Sequence, residues 1–483
     1  MRRVCLALGF VVACSGSQPA TNDAKKSDGP TTDAGPDLSD GAHSGSRLKI
    51  TYWAFADGTR SWNNFYDAQR KENCYLSGPW TDGNYYCTPN SSGSIVWSNA
   101  TCSTKMMMYY VDPSCPTPPG PYILDYSFGC AFQYSHLYMR GAQLGATQYY
   151  YQNSDGSCGG PYTATGYNFY ALGTEIVPSQ ALVQITPGAP MGSGTITERF
   201  LTSSDGLQFP WTAHDATLGA DCYPSSYGAT SATCIPDASY AYYFHDAQCS
   251  VPESSVGKTC ASPKYLGYSP TSQCPTDPPK YYTAGSSVTN GASIYYQSNA
   301  SCASQPPDTT QTYYGLGQQL SLSVFSRAPD TLAGHRIQLI HETAPDGVKM
   351  RDYALYDSQL GSECYPISMP DGTTRCLTFG ADIQSYFKDA ACTQAIDLAA
   401  VSSGPASCGT PVAPTYASKY IPPAAGSCSY SYEMHRLGTA YNGAIYYVNG
   451  TCMPYPLFQQ KMYTVGALVD LTTYASATSV TDQ

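Results

Sequence analysis

Residues Asp215 to Cys249 read DATLGADCYPSSYGATSATCIPDASYAYYFHDAQC. An Asp-Ala step opens the stretch, Cys222-Tyr223 follows seven residues later, then Cys234, and the stretch closes on Phe244-His245-Asp246-Ala247-Gln248-Cys249. The same order of signals occurs upstream, from Asp67-Ala68 through Cys74-Tyr75 and Cys87 to Asn99-Ala100-Thr101-Cys102. It occurs downstream from Asp357-Ser358 through Cys364-Tyr365 and Cys376 to Asp389-Ala390-Ala391-Cys392. Self-similarity at a long fixed period marks a repeat architecture.

Working outward, three Asp-Gly steps, Asp57-Gly58, Asp205-Gly206 and Asp346-Gly347, precede these stretches at spacings of 148 and 141 residues. Each unit holds six matching cysteines. They are Cys74, Cys87, Cys102, Cys115, Cys130 and Cys158, then Cys222, Cys234, Cys249, Cys260, Cys274 and Cys302, then Cys364, Cys376, Cys392, Cys408, Cys428 and Cys452. Cys5 and Cys14 complete the 20, so the body has no odd cysteine and three disulfides per unit are expected. Six cysteines allow about 15 pairings, and sequential pairing of neighbours is the working expectation. Paired zinc knuckles are absent, so an oxidising compartment is the economical reading of so many cysteines.

The third and sixth cysteines of each unit share a shorter signature, Asn or Asp, then Ala or Gly, then any residue, then Cys. Asn/Asp-Gly is a type I′ hairpin signal. It divides each unit into two related sheets. Tyr, Thr, Ser and Gly replace Lys, Glu and Leu, and short alternating runs recur between Gly, Pro and Asp. The fold class is therefore all-β. Six sheets over three units resemble a cysteine-rich, six-bladed β-propeller-like ring, with three tandem disulfide-bonded β domains as the alternative. The units run 47–190, 191–330 and 331–483, with joints at Thr186-Pro187-Gly188-Ala189-Pro190 and Arg327-Ala328-Pro329-Asp330.

Met1-Arg2-Arg3 precedes a short apolar run, Val4 to Val12, too short to span a bilayer. The run ends in Val11-Val12-Ala13-Cys14, which resembles the lipobox of bacterial lipoproteins. The resemblance implies a signal peptide over 1–13, cleavage before Cys14, lipid attachment to Cys14 and a membrane anchor. Ser15 after that cysteine implies the outer membrane, with a periplasmic or surface-exposed body. Residues up to Ser46 are Ser, Gly, Asp, Ala, Pro and Thr with few large apolar groups, so 14–46 reads as a lipidated cysteine and disordered tether.

A formal charge of −11 with no Lys/Arg cluster argues against nucleic acid as a partner. No nucleophile elbow, phosphate loop or dinucleotide fingerprint is present, and no catalytic, cofactor-binding or metal residue is assigned. His341-Glu342 lacks the second histidine of a zincin, and Asn153-Ser154-Asp155-Gly156 offers too few oxygens for calcium. Asp67, Asp215 and Asp357 occupy the same place in every unit. One active site needs one set of residues, so this recurrence marks a fold element. Function belongs where the units differ, which singles out Lys105-Met106-Met107-Met108, His214, His245 and Lys349-Met350-Arg351-Asp352. The methionine run reads as strand core. The tyrosine runs Tyr149-Tyr150-Tyr151, Tyr281-Tyr282, Tyr295-Tyr296, Tyr313-Tyr314 and Tyr446-Tyr447 place rings on both faces of strands, suited to sugars or protein contacts.

The expected function is a non-enzymatic binding or scaffold module of a bacterial envelope, with a polysaccharide or another envelope protein as partner and no cofactor. The alternatives are a glycoside-processing propeller and a surface-coat protein without a specific ligand. Free carboxylates drawn from different units at the centre favour the enzyme, and a tyrosine-rich lining favours binding.

Overall fold

The computed structural model describes residues 41–482 except 112–118, 129–131, 154–156, 227–229, 271–278, 299–300, 370–371, 379, 403–412, 423–430 and 458–459. Cys14 and the leader lie outside the described residues, as do Cys115, Cys130, Cys274, Cys408 and Cys428.

The all-β class holds. Helical structure among the described residues is confined to short turns such as Pro178–Ala181 and Leu471–Thr473. Each unit places four strands in succession, leaves for an inserted sheet, and returns with a fifth. In the first unit these are Leu48–Phe55, Arg60–Asp67, Glu72–Ser77 and Tyr85–Pro89, then Gln184–Pro187. In the second they are Ile196–Ser203, Gln208–Asp215, Ala220–Ser226 and Ser231–Pro236, then Val324–Pro329. In the third they are Ile337–Thr343, Lys349–Asp357, Ser362–Ser368 and Thr374–Leu377, then Ser476–Thr481.

These fifteen strands form one closed barrel. Each fifth strand pairs with the fourth of its own unit and the first of the next, and Ser476–Thr481 closes the circle on Leu48–Phe55. The inserts form separate sheets of seven, eight and seven strands. The expectation of six separate blades is corrected here. The returning fifth strands consume the edges that separate blades would leave, so the first halves of the units fuse into a continuous ladder. The same closure excludes three independent tandem domains. The Pro-rich joints are also reread: Pro187 and Pro329 end barrel strands.

The Asp-Gly steps explain how the units are held. Gly58, Gly206 and Gly347 take φ of 91°, 96° and 95°, a region that favours glycine. The aspartate before each reaches across to a neighbouring unit. Asp57 accepts from the Ile337 N–H at 2.7 Å, Asp205 from Leu48 at 2.6 Å and Asp346 from Ile196 at 2.8 Å. Three equivalent clasps thus run around the circle.

The recurring Asp67, Asp215 and Asp357 are buried and cap the turn after the second strand. One carboxylate oxygen of each accepts two backbone N–H groups, from Gln69 and Arg70, Thr217 and Leu218, or Gln359 and Leu360. Arg47 pairs with Asp67 at 2.6 Å and Arg336 with Asp357 at 2.7 Å. In the second unit Ser323 Oγ donates to Asp215 instead, at 2.9 Å.

The core is divided into three equivalent clusters. Each contains the first two cysteines of its unit and a residue from the hairpin of the next: Leu207 beside Cys74 and Cys87, Met350 beside Cys222 and Cys234, Phe55 beside Cys364 and Cys376. The inserts pack on the barrel through further aromatic clusters, such as Trp80 and Tyr86 with Leu124 and Leu137.

The disulfides correct the sequential pairing. First and second cysteines are joined as expected, Cys74–Cys87, Cys222–Cys234 and Cys364–Cys376. The third joins the sixth, Cys102–Cys158, Cys249–Cys302 and Cys392–Cys452. Cys260 is also disulfide-bonded. The turn before each third cysteine is not type I′ with its positive φ on the Ala. The left-handed residue is the cysteine itself, at 47°, 50° and 51° for Cys102, Cys249 and Cys392. The preceding Asn99, Asp246 or Asp389 caps this turn by accepting from the N–H of Ser103, Ser250 or Thr393.

Candidate functional site

The second strands of the three units meet through side chains. Trp62 of the first unit lies 5.2 Å from Phe209 of the second and 5.7 Å from Tyr353 of the third, centroid to centroid. Trp211 meets Tyr223 edge-on at 6.1 Å. Tyr353 is 71% exposed, yet surrounding protein, and then Asp352, raise its hydroxyl above the ordinary value. The three second strands are not neighbours in the closed ladder, so their side chains meet across the concavity that the barrel encloses, and Tyr353 is accessible there. Tyr223, also exposed, is pushed up to about 12 by burial and by Tyr85, Asp221, Asp237 and Tyr353. Tyr365, on the third unit's equivalent strand, is raised by burial, then by Glu363 and Asp352. The Cys-Tyr motif of the second and third units therefore serves two faces, the cysteine stapling the core and the tyrosine lining the concavity.

Three carboxylates here are tied. Arg327, returning at the end of the second unit, is buried and donates to Asp352 at 2.6 Å and to both oxygens of Glu363. Burial works to lower the Arg327 pKa, but Glu363 and Asp352 outweigh it and raise it. Arg199 pairs with Asp221, whose other oxygen is 2.8 Å from His214 Nδ1. Asp352 and Glu363 come from one unit and share one guanidinium. Both are held by the same buried cation, and neither carboxylate is placed as a free acid or base. Among the described residues, no group of three or more His, Cys, Asp or Glu is arranged to hold a metal ion, and no helix is long and apolar enough to cross a membrane.

The residues singled out by unit differences divide accordingly. His214 and the Arg351-Asp352 pair reach the concavity region, Arg351 donating to the Arg60 carbonyl at 2.7 Å. Met106, Met107 and Met108 are buried strand core on both faces. His245 lies apart, on the second insert, 2.8 Å from Asn290 Oδ1 and 3.9 Å from Glu253. Glu253 is 1% exposed and accepts from Asn290 Nδ2 at 2.9 Å. Arg199, Asp221, Glu363 and Glu253 escaped the sequence reading, and Arg327 entered it only as part of a joint. Each lies inside a strand, and only the strand register sets it against its partner.

Fold and concavity together define a disulfide-stapled β protein of three repeats around a shared aromatic centre. The chain belongs to a family of unknown function, DUF7481, whose model matches residues 31–471. No curated protein and no solved structure matches it.

Proposed function

We propose that the protein is a lipid-anchored module of a bacterial envelope that binds rather than catalyses. The observation that carries this reading is the chemistry of the centre. Its accessible groups include the aromatic Tyr223, Tyr353 and Tyr365, while Asp221, Asp352 and Glu363 are each committed to an arginine. The recurring aspartates are consumed as turn caps and clasps, which leaves them no catalytic role. Accessible tyrosines in a concave, rigid wall are suited to recognition, offering apolar area and a hydroxyl at low conformational cost. The disulfides support an oxidising compartment, and the Val11-Val12-Ala13-Cys14 sequence supports attachment through Cys14.

Two measurements test the reading. Cys14→Ser moves the protein from the membrane pellet to the soluble fraction; retention in the pellet overturns the anchor. The wild-type chain releases no reducing ends from soluble polysaccharides, and steady release establishes the glycosidase alternative instead.

A further inference from the structure

The first insert carries a second aromatic surface. Tyr110, Tyr167, Tyr149, Tyr151 and Tyr162 form one connected series, with neighbouring centroids at 5.7, 6.0, 5.3 and 5.6 Å. Tyr149 is the buried floor, while Tyr110, Tyr162 and Tyr151 are 61%, 46% and 38% exposed. The sheet order places these residues on four of five adjacent strands, and the Tyr149 and Tyr167 rings meet although their strands are not neighbours, so the sheet curls and gathers the tyrosines into one cluster.

Strand register shows which of them are particular to this insert. The Tyr110–Tyr167 pair corresponds to Gly257–Gln311 in the second unit and Ser402–Gln460 in the third. Tyr149 corresponds to Ile294 and Ile445. Tyr162 is brought to the same face by one extra residue. Gly159 to Tyr162 spans three positions opposite the two from Tyr151 to Tyr149. Gly160 makes this bulge possible, at φ 132° with Tyr150 and the Tyr149 carbonyl so close that a Cβ would stand 2.9 and 3.1 Å from them.

Among the described residues the platform carries no charged side chain. By strand alternation the other positions on this face are Ser94, Val96, Met106, Met108 and Phe169, and Lys105, which pairs with Asp125, belongs to the opposite face. Burial, together with Tyr149, pushes the Tyr151 hydroxyl up to about 12, so this phenol stays a protonated donor at neutral pH. A ligand matched to this surface has apolar C–H faces to stack on rings, many hydroxyls to meet phenols, no charge, and enough length to touch several rings.

We propose that the tyrosine platform of the first insert binds a neutral polysaccharide. The proposal names a ligand class for the binding module argued above and rests on that reading. Stacking supplies the affinity and phenol hydroxyls supply orientation, as in other aromatic recognition surfaces. No bond is made or broken.

The test is affinity electrophoresis of the full chain carrying Cys14→Ser, in gels containing dextran, laminarin or galactomannan, with polygalacturonate as the charged comparison. At least one neutral polymer retards the protein. Tyr110→Ala with Tyr162→Ala weakens the retardation by at least about tenfold, the scale of losing two anchor rings. Tyr420→Ala, an exposed tyrosine of the third insert, leaves it unchanged. Retardation survives a rise from about 0.1 to about 1 M salt, over which the Debye length falls from ~10 to ~3 Å. Thermal melting of each variant checks that it is folded. No retardation by any neutral polymer, equal retardation of the double variant, or binding confined to polygalacturonate and lost in salt overturns the proposal. Membrane fractionation of the same platform variants with Cys14 intact reads the anchor separately, so failure of the platform is distinguishable from failure of the module reading.

Discussion

Glu253 is a carboxyl that the fold would rather keep neutral. Burial raises its pKa above the ordinary value, against smaller opposing pulls from Asn290 and His245, and its Oε2 has no hydrogen-bond partner among the described residues. The sign of the linkage follows. In the unfolded chain the group ionises near its ordinary value of 4.5; in the folded chain it holds its proton to a higher pH. Its stabilising contribution is complete below the ordinary value and is lost as pH rises through the folded one. Glu253→Gln therefore gains about 1 kcal/mol over wild type at pH 7 and about nothing near pH 4, read from urea unfolding at both. An equal difference at the two pH values rejects burial as the cause. Asp57 and Asp205 are opposite cases. Burial pushes them up, but the N–H groups of Ile337 and Leu48 outweigh it and hold both below the usual carboxylate value. Recurrence in the sequence distinguishes the two kinds: a carboxylate present in every unit is a clasp or a cap, and Glu253 stands alone.

At the scale of elements, the third-to-sixth disulfide fixes an insert to itself. Cys102 and Cys158 close a separation of 56 residues. The chain-entropy relation gives such a loop about 4 kcal/mol. Cys102→Ala with Cys158→Ala is expected to cost that order, and the loss is local. Amide-exchange protection falls over the insert strands between Ser94 and Ile176 while the barrel strands Leu48–Phe55 and Arg60–Asp67 retain theirs. Equal loss in both regions contradicts a separable insert. The six-cysteine period and the strand-rich composition were legible in the sequence because they depend on local pattern. The pairing of third with sixth cysteine was not. It is set by the Trp97–Tyr150 bridge between distant strands, which brings the Cys102 turn beside the Cys158 hairpin. The fifth barrel strand was hidden for a related reason. Gln184–Pro187 is four residues ending in proline, reached only after the whole insert, and its partners lie in two units. The tyrosine platform shows the same limit. The runs of tyrosine were visible, but that Tyr110 stands where Gly257 and Ser402 stand is a fact of register.

For the whole molecule, the question is whether three repeats behave as one body. The chain closes on itself through Ser476–Thr481, which pairs with the first strand from Thr51↔Thr481 to Phe55↔Ala477 and with the fourth strand of its own unit at Thr374↔Ala477. Ala477 is buried in the same cluster as Phe55, so the last strand belongs to the core that joins the third unit to the first. Removing residues 476–483 takes away both pairings. Two barrel edges then stand open, one on each side of the gap, and unpaired edges recruit other chains. The Asp57 clasp on Ile337 spans the same junction and is left to hold it without the ladder. The expected result is a fall in Tm on the order of 10 °C, concentration-dependent association, and loss of exchange protection in Leu48–Phe55, which lies more than 400 residues from the cut. Asp482→Ala, which loses only the 2.8 Å bond from Ser44, changes Tm little. A truncated chain whose first unit keeps full protection while the third alone loosens behaves as three beads on a string, and the closed barrel is then not the cooperative unit. Protection lost across the junction makes the circle itself the element that holds Trp62, Phe209 and Tyr353 of three different units at one place, so the shared aromatic centre exists only while the ring is shut.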